Sequence, residues 1–218
     1  MLIVDLHLKS NLAIVVGSGN EGMKKVASLL TQDCRILVIS NNSNAQIEKH
    51  VKQGKIEFKK TKLKDASFLS KYKPHLVMAT TNDKVLNRKI VQKARKMKSY
   101  AYASDDPEIS DFAHPSVINI ADTLQVAIST GGSSPAMARK IKIKTESFLK
   151  KNISSDDILQ IKLQKFARLE AKQVLSTQLD RKKFLYAVMN DKQVKGLLKE
   201  GKYKIAQTRV KKILRELT

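Results

Sequence analysis

The chain has little of what would cross-link or anchor it: one cysteine, no tryptophan, four prolines and eight glycines among 218 residues. A lone Cys34 excludes an internal disulfide and any multi-cysteine metal or iron–sulfur site. No apolar run approaches the ~18 residues that a membrane-spanning helix needs. The opening MLIVDLHLKS also lacks the basic start and long apolar stretch of a secretory leader, so a cytoplasmic globular protein is expected. Acidic residues are scarce, 20 against 42 Lys and Arg, for a net charge of +22. Such a field attracts nucleic acid, anionic membrane or a carboxylate-rich small molecule alike, and by itself does not choose among them. From Lys151 onward 17 basic residues face 7 acidic ones, so the excess is spread through the sequence rather than held in a tail.

What is present is an apolar fraction of 42%, enough for a core, with breakers unevenly placed. The prolines stand at Pro74, Pro107, Pro115 and Pro135, and the residues after the last of them hold only Gly196 and Gly201. That tract is expected to be helical. Leu159, Leu163, Phe166 and Leu169, then Phe184 and Val188, then Ala206, Val210, Ile213 and Leu217 recur at helical spacing, with Ser155, Asp180 and Asp191 as N-caps. Earlier, the short apolar runs Leu12–Val16, Arg35–Ile39, Leu76–Ala79 and Tyr100–Ala103 alternate with helix-period segments, which predicts a parallel sheet. Met23, Val26, Ala27 and Leu30 form the inner face of one crossover helix, and Leu86, Ile90 and Ala94 that of another. Val117–Ile120 and Leu124–Ile128, parted by Ala121-Asp122-Thr123, fall outside the alternation. The expected class is α/β, in three parts: a Rossmann domain over 1–113, a small segment over 114–150 and an all-helical domain over 151–218.

The first strand runs into Gly17-Ser18-Gly19-Asn20-Glu21-Gly22 and then into an amphipathic helix, the order strand, G-x-G-x-x-G, helix. In that setting Gly17 permits the tight turn, Gly19 lets backbone approach a pyrophosphate, Gly22 lets helix and strand pack closely, and the helix N-terminus offers free N–H groups. A glycine turn that only packs a strand on a helix is the structural alternative. The acidic residue expected at the end of the second strand, for a ribose hydroxyl, is replaced by Ser40-Asn41-Asn42. Asparagine still hydrogen-bonds a ribose and repels a 2′-phosphate less, so NAD and NADP are not separated.

Thr80 and Thr81 end the third apolar run, and Asp105 follows the fourth directly; ligands bind at such strand ends in open parallel sheets. Asp105 there is expected to be partly desolvated and able to exchange a proton, unless Asp105-Asp106-Pro107 is a turn whose carboxylates only cap the next helix. Farther on, Ser129-Thr130-Gly131-Gly132-Ser133-Ser134-Pro135 stops a strand and starts a helix with Ser134 as cap. That is a sound helix start; its two glycines and four hydroxyls also suit a carboxylate.

Four stretches together resemble the precorrin-2 dehydrogenase family, the N-terminal module of sirohaem synthase, over essentially the whole chain. Its V-V-G-G-G-x-V-A-x-R-K opening appears as Val15 to Lys25, its A-A-T-D-x-x-x-x-N element as Ala79 to Asn87, its V-D-D-P-E-x-x-D-F stretch as Ser104 to Phe112, and its A-I-S-T-G-G-x-S-P-x-x-A-R segment as Ala127 to Arg139. Departures are Ser18 for glycine, Glu21 for an apolar residue, Lys24 for arginine, and Ala113-His114 where the family is apolar. The resemblance implies NAD-dependent oxidation of precorrin-2 to sirohydrochlorin, a catalytic Asp105, nucleotide contacts at Asn20, Glu21, Asn41 and Asn42, and a homodimer. It also carries the serine of the family's A-I-S segment onto Ser129, which joins Gly131, Gly132 and Ser134, the turn suited to a carboxylate, as the expected substrate contacts. Some members also insert ferrous iron. His7, His50, His75 and His114 are scattered, so no metal site is expected here, and iron insertion is expected to be weak or absent. His114 itself has the place of a surface-loop histidine. Two other classes compete. A nucleotide-sensing regulatory module would share Gly17–Gly22 but normally carries an acid after the second strand and lacks the Thr130–Ala138 segment. A nucleic-acid binder would explain the charge, but aromatics are 5% and no recognised motif appears.

Overall fold

The computed structural model describes residues 2–217. The chain forms two compact units, Met1–His114 and Pro115–Thr218. In the first, β1 (Leu12–Val16), α1 (Asn20–Leu29), β2 (Arg35–Ser40), α2 (Ala45–Lys52), β3 (Glu57–Lys60), β4 (Leu76–Ala79), α3 (Lys84–Lys96) and β5 (Tyr100–Ala103) build a parallel sheet in the order β3-β2-β1-β4-β5. Strand residues alternate between two apolar layers: Ile14, Val16, Leu37, Ile39 and Val77 pack with Leu86, Ile90 and Ala94 of α3, while Ala13, Val15, Ile36, Val38 and Met78 pack with Val26 and Leu29 of α1 and Ile47 of α2. Both faces are covered, which is why β1, β2 and β4 read as unbroken apolar runs. The order reverses between β1 and β4, and the carboxyl ends of the strands open there into a crevice.

Two expectations are corrected in this unit. β3, Glu57-Phe-Lys-Lys, carries no apolar run because it is an edge strand with only Phe58 half-buried. On α1 the inner face is Gly22, Lys25, Val26 and Leu29, with Met23 and Leu30 half-buried and Ala27 exposed. Lys25 is inward because its ammonium rests 4.4 Å from the Tyr102 ring centre, where burial, against the opposing pull of the Glu21 carboxylate, holds its pKa below the usual lysine value. His114 is an exposed loop residue, as its place predicts, with its ring edge-on to Tyr102 and Phe112 at 5.1 and 5.5 Å.

The second unit begins with an antiparallel hairpin, β6 (Ser116–Ile120) and β7 (Leu124–Ile128), whose turn holds Ala121 and Asp122 at φ 51° and 49°. Among the described residues five helices follow: α4 (Pro135–Asn152), α5 (Ser155–Val174), α6 (Gln178–Asn190), α7 (Lys192–Lys199) and α8 (Tyr203–Glu216). The caps of α5 and α6 fall one and three residues before the expected ones. Ser154 accepts from the Asp157 amide in a capping box, and Thr177 accepts from the Asp180 amide while its hydroxyl donates to the Asp180 carboxylate. Asp191 caps α7 as expected. The core joins Leu163, Ala167 and Ala171 to Phe184, Val188, Val194, Ala206, Val210 and Ile213. Leu169 and Leu217 are exposed instead of buried: the inner stripe of α5 steps through the small Ala167 and Ala171, leaving Leu169 on the far side, and Leu217 lies past the end of α8.

Candidate functional site

The turn between β1 and α1 has its shape because its atoms leave no alternative. Gly17 stands at φ +111°, and a Cβ on it would meet the Thr80 carbonyl oxygen at 2.7 Å. A Cβ on Gly22 would run into the Gly17 carbonyl oxygen. Thr80, buried at the end of β4, ties the strands together by donating its hydroxyl to the Val16 carbonyl at 2.9 Å. Gly19 differs: its backbone is ordinary and a Cβ would meet nothing within 4 Å. The space above it belongs to a cavity of about 540 Å³ at the carboxyl ends of β1, β2 and β4.

Of the residues expected to hold a nucleotide, Gly17, Ser18, Gly19, Asn41, Asn42, Thr80 and Thr81 all line this cavity, whereas Asn20, Glu21 and Gly22 do not. Gly22 acts from beneath, as packing. Glu21 turns its carboxylate to Lys24 at 2.6 Å, a hydrogen bond that holds its pKa below the usual range. Ser18, the departure from glycine, staples the turn to the end of β2: its hydroxyl donates to the Asn42 carbonyl at 2.7 Å and lies 2.9 Å from the Ser40 hydroxyl. Asn44 completes the frame by donating to the Ser18 carbonyl at 2.9 Å while its Oδ1 caps α2 at the Ile47 amide. Asn44 was not singled out from the sequence.

A second constellation joins β4 to β5. Asn87 of α3 is wholly buried; its Oδ1 accepts from the Thr81 hydroxyl at 2.7 Å and its Nδ2 donates to the Thr81 carbonyl at 3.0 Å and to Asp105 Oδ1 at 2.6 Å. Asn87 thus fixes the Asp105 carboxylate beside the end of β4, and among the described residues Oδ2 accepts no protein hydrogen bond. Asp105 is exposed, which corrects the expected desolvation: the strand ends at Ala103, and two residues of loop carry the carboxylate to solvent. Asp106 does the capping, accepting from the Glu108 amide at 3.2 Å and from Arg88 at 2.9 Å, and the guanidinium bond holds its pKa below the usual range. The signal for Asn87 was its place in the A-T-T-N-D-x-x-x-N stretch.

In the second unit Ser129, Gly131, Gly132 and Ser134 form the turn from β7 to α4. Ser129 Oγ accepts from the Gly131 amide at 3.2 Å, Thr130 Oγ1 from Ser134 at 3.1 Å, and Ser134 Oγ from Met137 at 3.2 Å. Thr130 and Ser134 accept in these bonds, so their hydroxyl hydrogens are left as donors. Among the described residues no three of His, Cys, Asp and Glu come together as a metal site, and no helix is long and apolar enough to cross a membrane.

Comparison with known proteins finds matches in both units. Residues 4–116 match the family described as "Putative NAD(P)-binding" and residues 122–144 the "Sirohaem biosynthesis protein central" family. The siroheme synthase of Actinobacillus pleuropneumoniae serotype 7 is 27% identical over 154 residues, covering 71% of this chain and 31% of its own. That of Thioalkalivibrio sulfidiphilus is 32% identical over 146 residues, covering 67% and 29%. Siroheme synthase 2 of Aeromonas salmonicida is 26% identical over 202 residues, covering 93% and 40%. The chain thus spans about a third of the length of these relatives. Among solved structures, "SirC, precorrin-2 dehydrogenase" shares the fold with a TM-score of 0.66 at 20% identity, over 100% of this chain and 98% of that one.

Proposed function

The chain belongs to the precorrin-2 dehydrogenase family, the N-terminal module of sirohaem synthase, and on that premise we propose that it oxidises precorrin-2 to sirohydrochlorin with NAD. The observation that carries the reading is the pairing, in one unit, of a glycine cradle open only above Gly19 with a carboxylate that buried Asn87 holds at the neighbouring strand end. The residues fit the cofactor: Gly17 and Gly22 shape a turn that no side chain fills, and the α1 N-terminus supplies N–H groups to a pyrophosphate. Asn41 and Asn42 have the polar groups for a ribose, and Thr80 and Thr81 border the side toward β5. NAD, when bound, supplies the hydride acceptor. Asp105 takes the proton that leaves with the hydride, its Oδ2 being the atom Asn87 leaves unbonded.

Ser129, Gly131, Gly132 and Ser134 serve the substrate's carboxylates, and the +22 charge raises the local concentration of so anionic a molecule. A homodimer is proposed as well. Its support is the apolar surface of α4, where Met137, Ile141 and Phe148 are exposed at helical spacing, while the hairpin itself already buries Ile118. Insertion of ferrous iron, as a substrate, is expected to run close to the spontaneous rate. The free Cys34 thiol suits a reducing cytoplasm.

The test is anaerobic addition of precorrin-2 and NAD, with absorbance following the oxidised tetrapyrrole and NADH. Enzyme-dependent turnover is expected, with Asp105→Ala folded by circular dichroism and at least about a hundredfold slower, as for loss of a general base. No turnover by the wild type overturns the activity; near-normal turnover by the variant removes Asp105 from it.

A further inference from the structure

The residues just past the strand that carries no apolar signal form one end of the cavity. β3 lies parallel to β2 with Lys60 opposite Ser40, and the Thr61 amide donates to the Ser40 carbonyl at 2.8 Å. The ladder therefore runs one residue past the strand, and the chain leaves the sheet alongside Asn41. Thr61 and Lys62 consequently line the cavity with Asn41, Asn42 and Ser43.

In a dinucleotide-binding sheet the end of the second strand faces the adenosine ribose, where a carboxylate binds the 2′-hydroxyl and repels a 2′-phosphate. Here no carboxylate at that end lines the cavity among the described residues. Asp83, which does line it, lies beyond β4 and caps α3 at the Leu86 amide. Glu48 is drawn away by the Ser43 hydroxyl at 2.7 Å and is not part of the lining. Lys62 is exposed, makes no ion pair among the described residues, and follows Lys59 and Lys60 in the chain. An uncommitted ammonium among amide and hydroxyl groups is the donor set that accepts a phosphate monoester.

We infer that this cavity accepts a 2′-phosphate, so that the chain binds NADP as well as NAD, with Lys62 as the residue that sets the ratio. The inference rests on the dinucleotide-binding reading and deepens it. Lys62 meets only the extra phosphate, and a charge-assisted bond at an exposed site corresponds to roughly a tenfold change in affinity.

Isothermal titration of the full chain with NAD and with NADP, in the absence of tetrapyrrole, reads this without recourse to turnover. The wild type is expected to bind NADP within about tenfold of NAD. Lys62→Ala should cost NADP about tenfold more affinity than NAD, Lys62→Glu more again, and Asn41→Asp should move the ratio toward NAD by restoring the missing acid. Raised salt should weaken NADP more than NAD in the wild type and not in Lys62→Ala. Binding of NAD with NADP more than about a hundredfold weaker, or an unchanged ratio in Lys62→Ala, overturns the inference and leaves the proposed function standing. If neither nucleotide binds, the dinucleotide reading itself fails.

Discussion

Two glycine turns end strands in this chain, at Gly17–Gly22 in the first unit and at Gly131–Gly132 in the second, and they need glycine for different reasons. At Gly22 the conformation is ordinary and the space is full, a Cβ running into the Gly17 carbonyl. At Gly132 the space is empty and the conformation, φ +85°, is what excludes side chains. The first turn is closed by packing; the second is open to whatever lies outside it. Inside the first turn Gly19 is the exception, unstrained and unfilled. The same division separates Asp106, bound by Arg88 and a backbone amide, from Asp105, held on one oxygen by Asn87 and, among the described residues, unbonded on the other. Filled positions should answer to folding, and open positions to ligands.

The largest effect should come at the most filled position. Gly22→Ala forces apart a strand, a turn and a helix that share Thr80, and a loss of at least about 3 kcal/mol is expected, since neither backbone atom involved can swing aside as a side chain would. Urea unfolding measures it; a midpoint within error of the wild type would break the comparison at once. Gly19→Leu tests the opposite pole. It should unfold at the wild-type urea concentration, because nothing stands within 4 Å of the new Cβ, yet bind NAD at least about a hundredfold more weakly, because the side chain occupies the anion's place. Titration calorimetry decides it, and unchanged NAD affinity would remove the cofactor from this cavity.

Between these lies Gly132→Ala. A left-handed backbone costs a non-glycine residue about 1–2 kcal/mol, and here no collision adds to it. The expected result is a modest fall in the urea midpoint of the second unit, followed through the helical signal. A loss as large as that of Gly22→Ala would mean that the turn is packed after all.

How much of this was legible in the sequence follows the same line. β1, β4, β5 and β7 were readable to the residue because buried parallel strands and a half-buried hairpin strand write apolar runs, and the glycine turn was readable because its spacing is set by backbone contacts. β3 was not, since an edge strand such as Glu57-Phe-Lys-Lys has little to bury, and with it went the place of Lys62. The inner face of α1 was misread at Ala27 because periodicity favours the apolar residue over Lys25, whose ammonium finds the Tyr102 ring only once β5 is in place. Asp105 was found by its position after a strand, but the residue that orients it is 18 positions away on a helix read for its leucine and isoleucine. A buried polar residue that reaches an exposed one across the fold leaves no periodic trace.

The smallest expected effect sharpens the pair of aspartates. Asp106→Asn keeps the cap, because its Oδ1 still accepts from Glu108, and loses the charge that meets Arg88 on a mostly exposed surface. Turnover should stay near the wild-type value, in contrast to Asp105→Ala. Stability should differ in a pH-dependent way whose sign is fixed. The Arg88 hydrogen bond holds the Asp106 carboxyl below its ordinary 3.8 in the folded chain, so the unfolded chain takes up the proton first as pH falls. The pair's contribution is therefore complete at neutral pH and disappears in acid, as pH falls through the folded value. The difference in urea midpoint between wild type and Asp106→Asn should be constant from about pH 5 to 8 and close below about pH 4. A difference that grew in acid would mean that the folded chain raises the Asp106 carboxyl instead of lowering it, and would remove the Arg88 pairing from its stability.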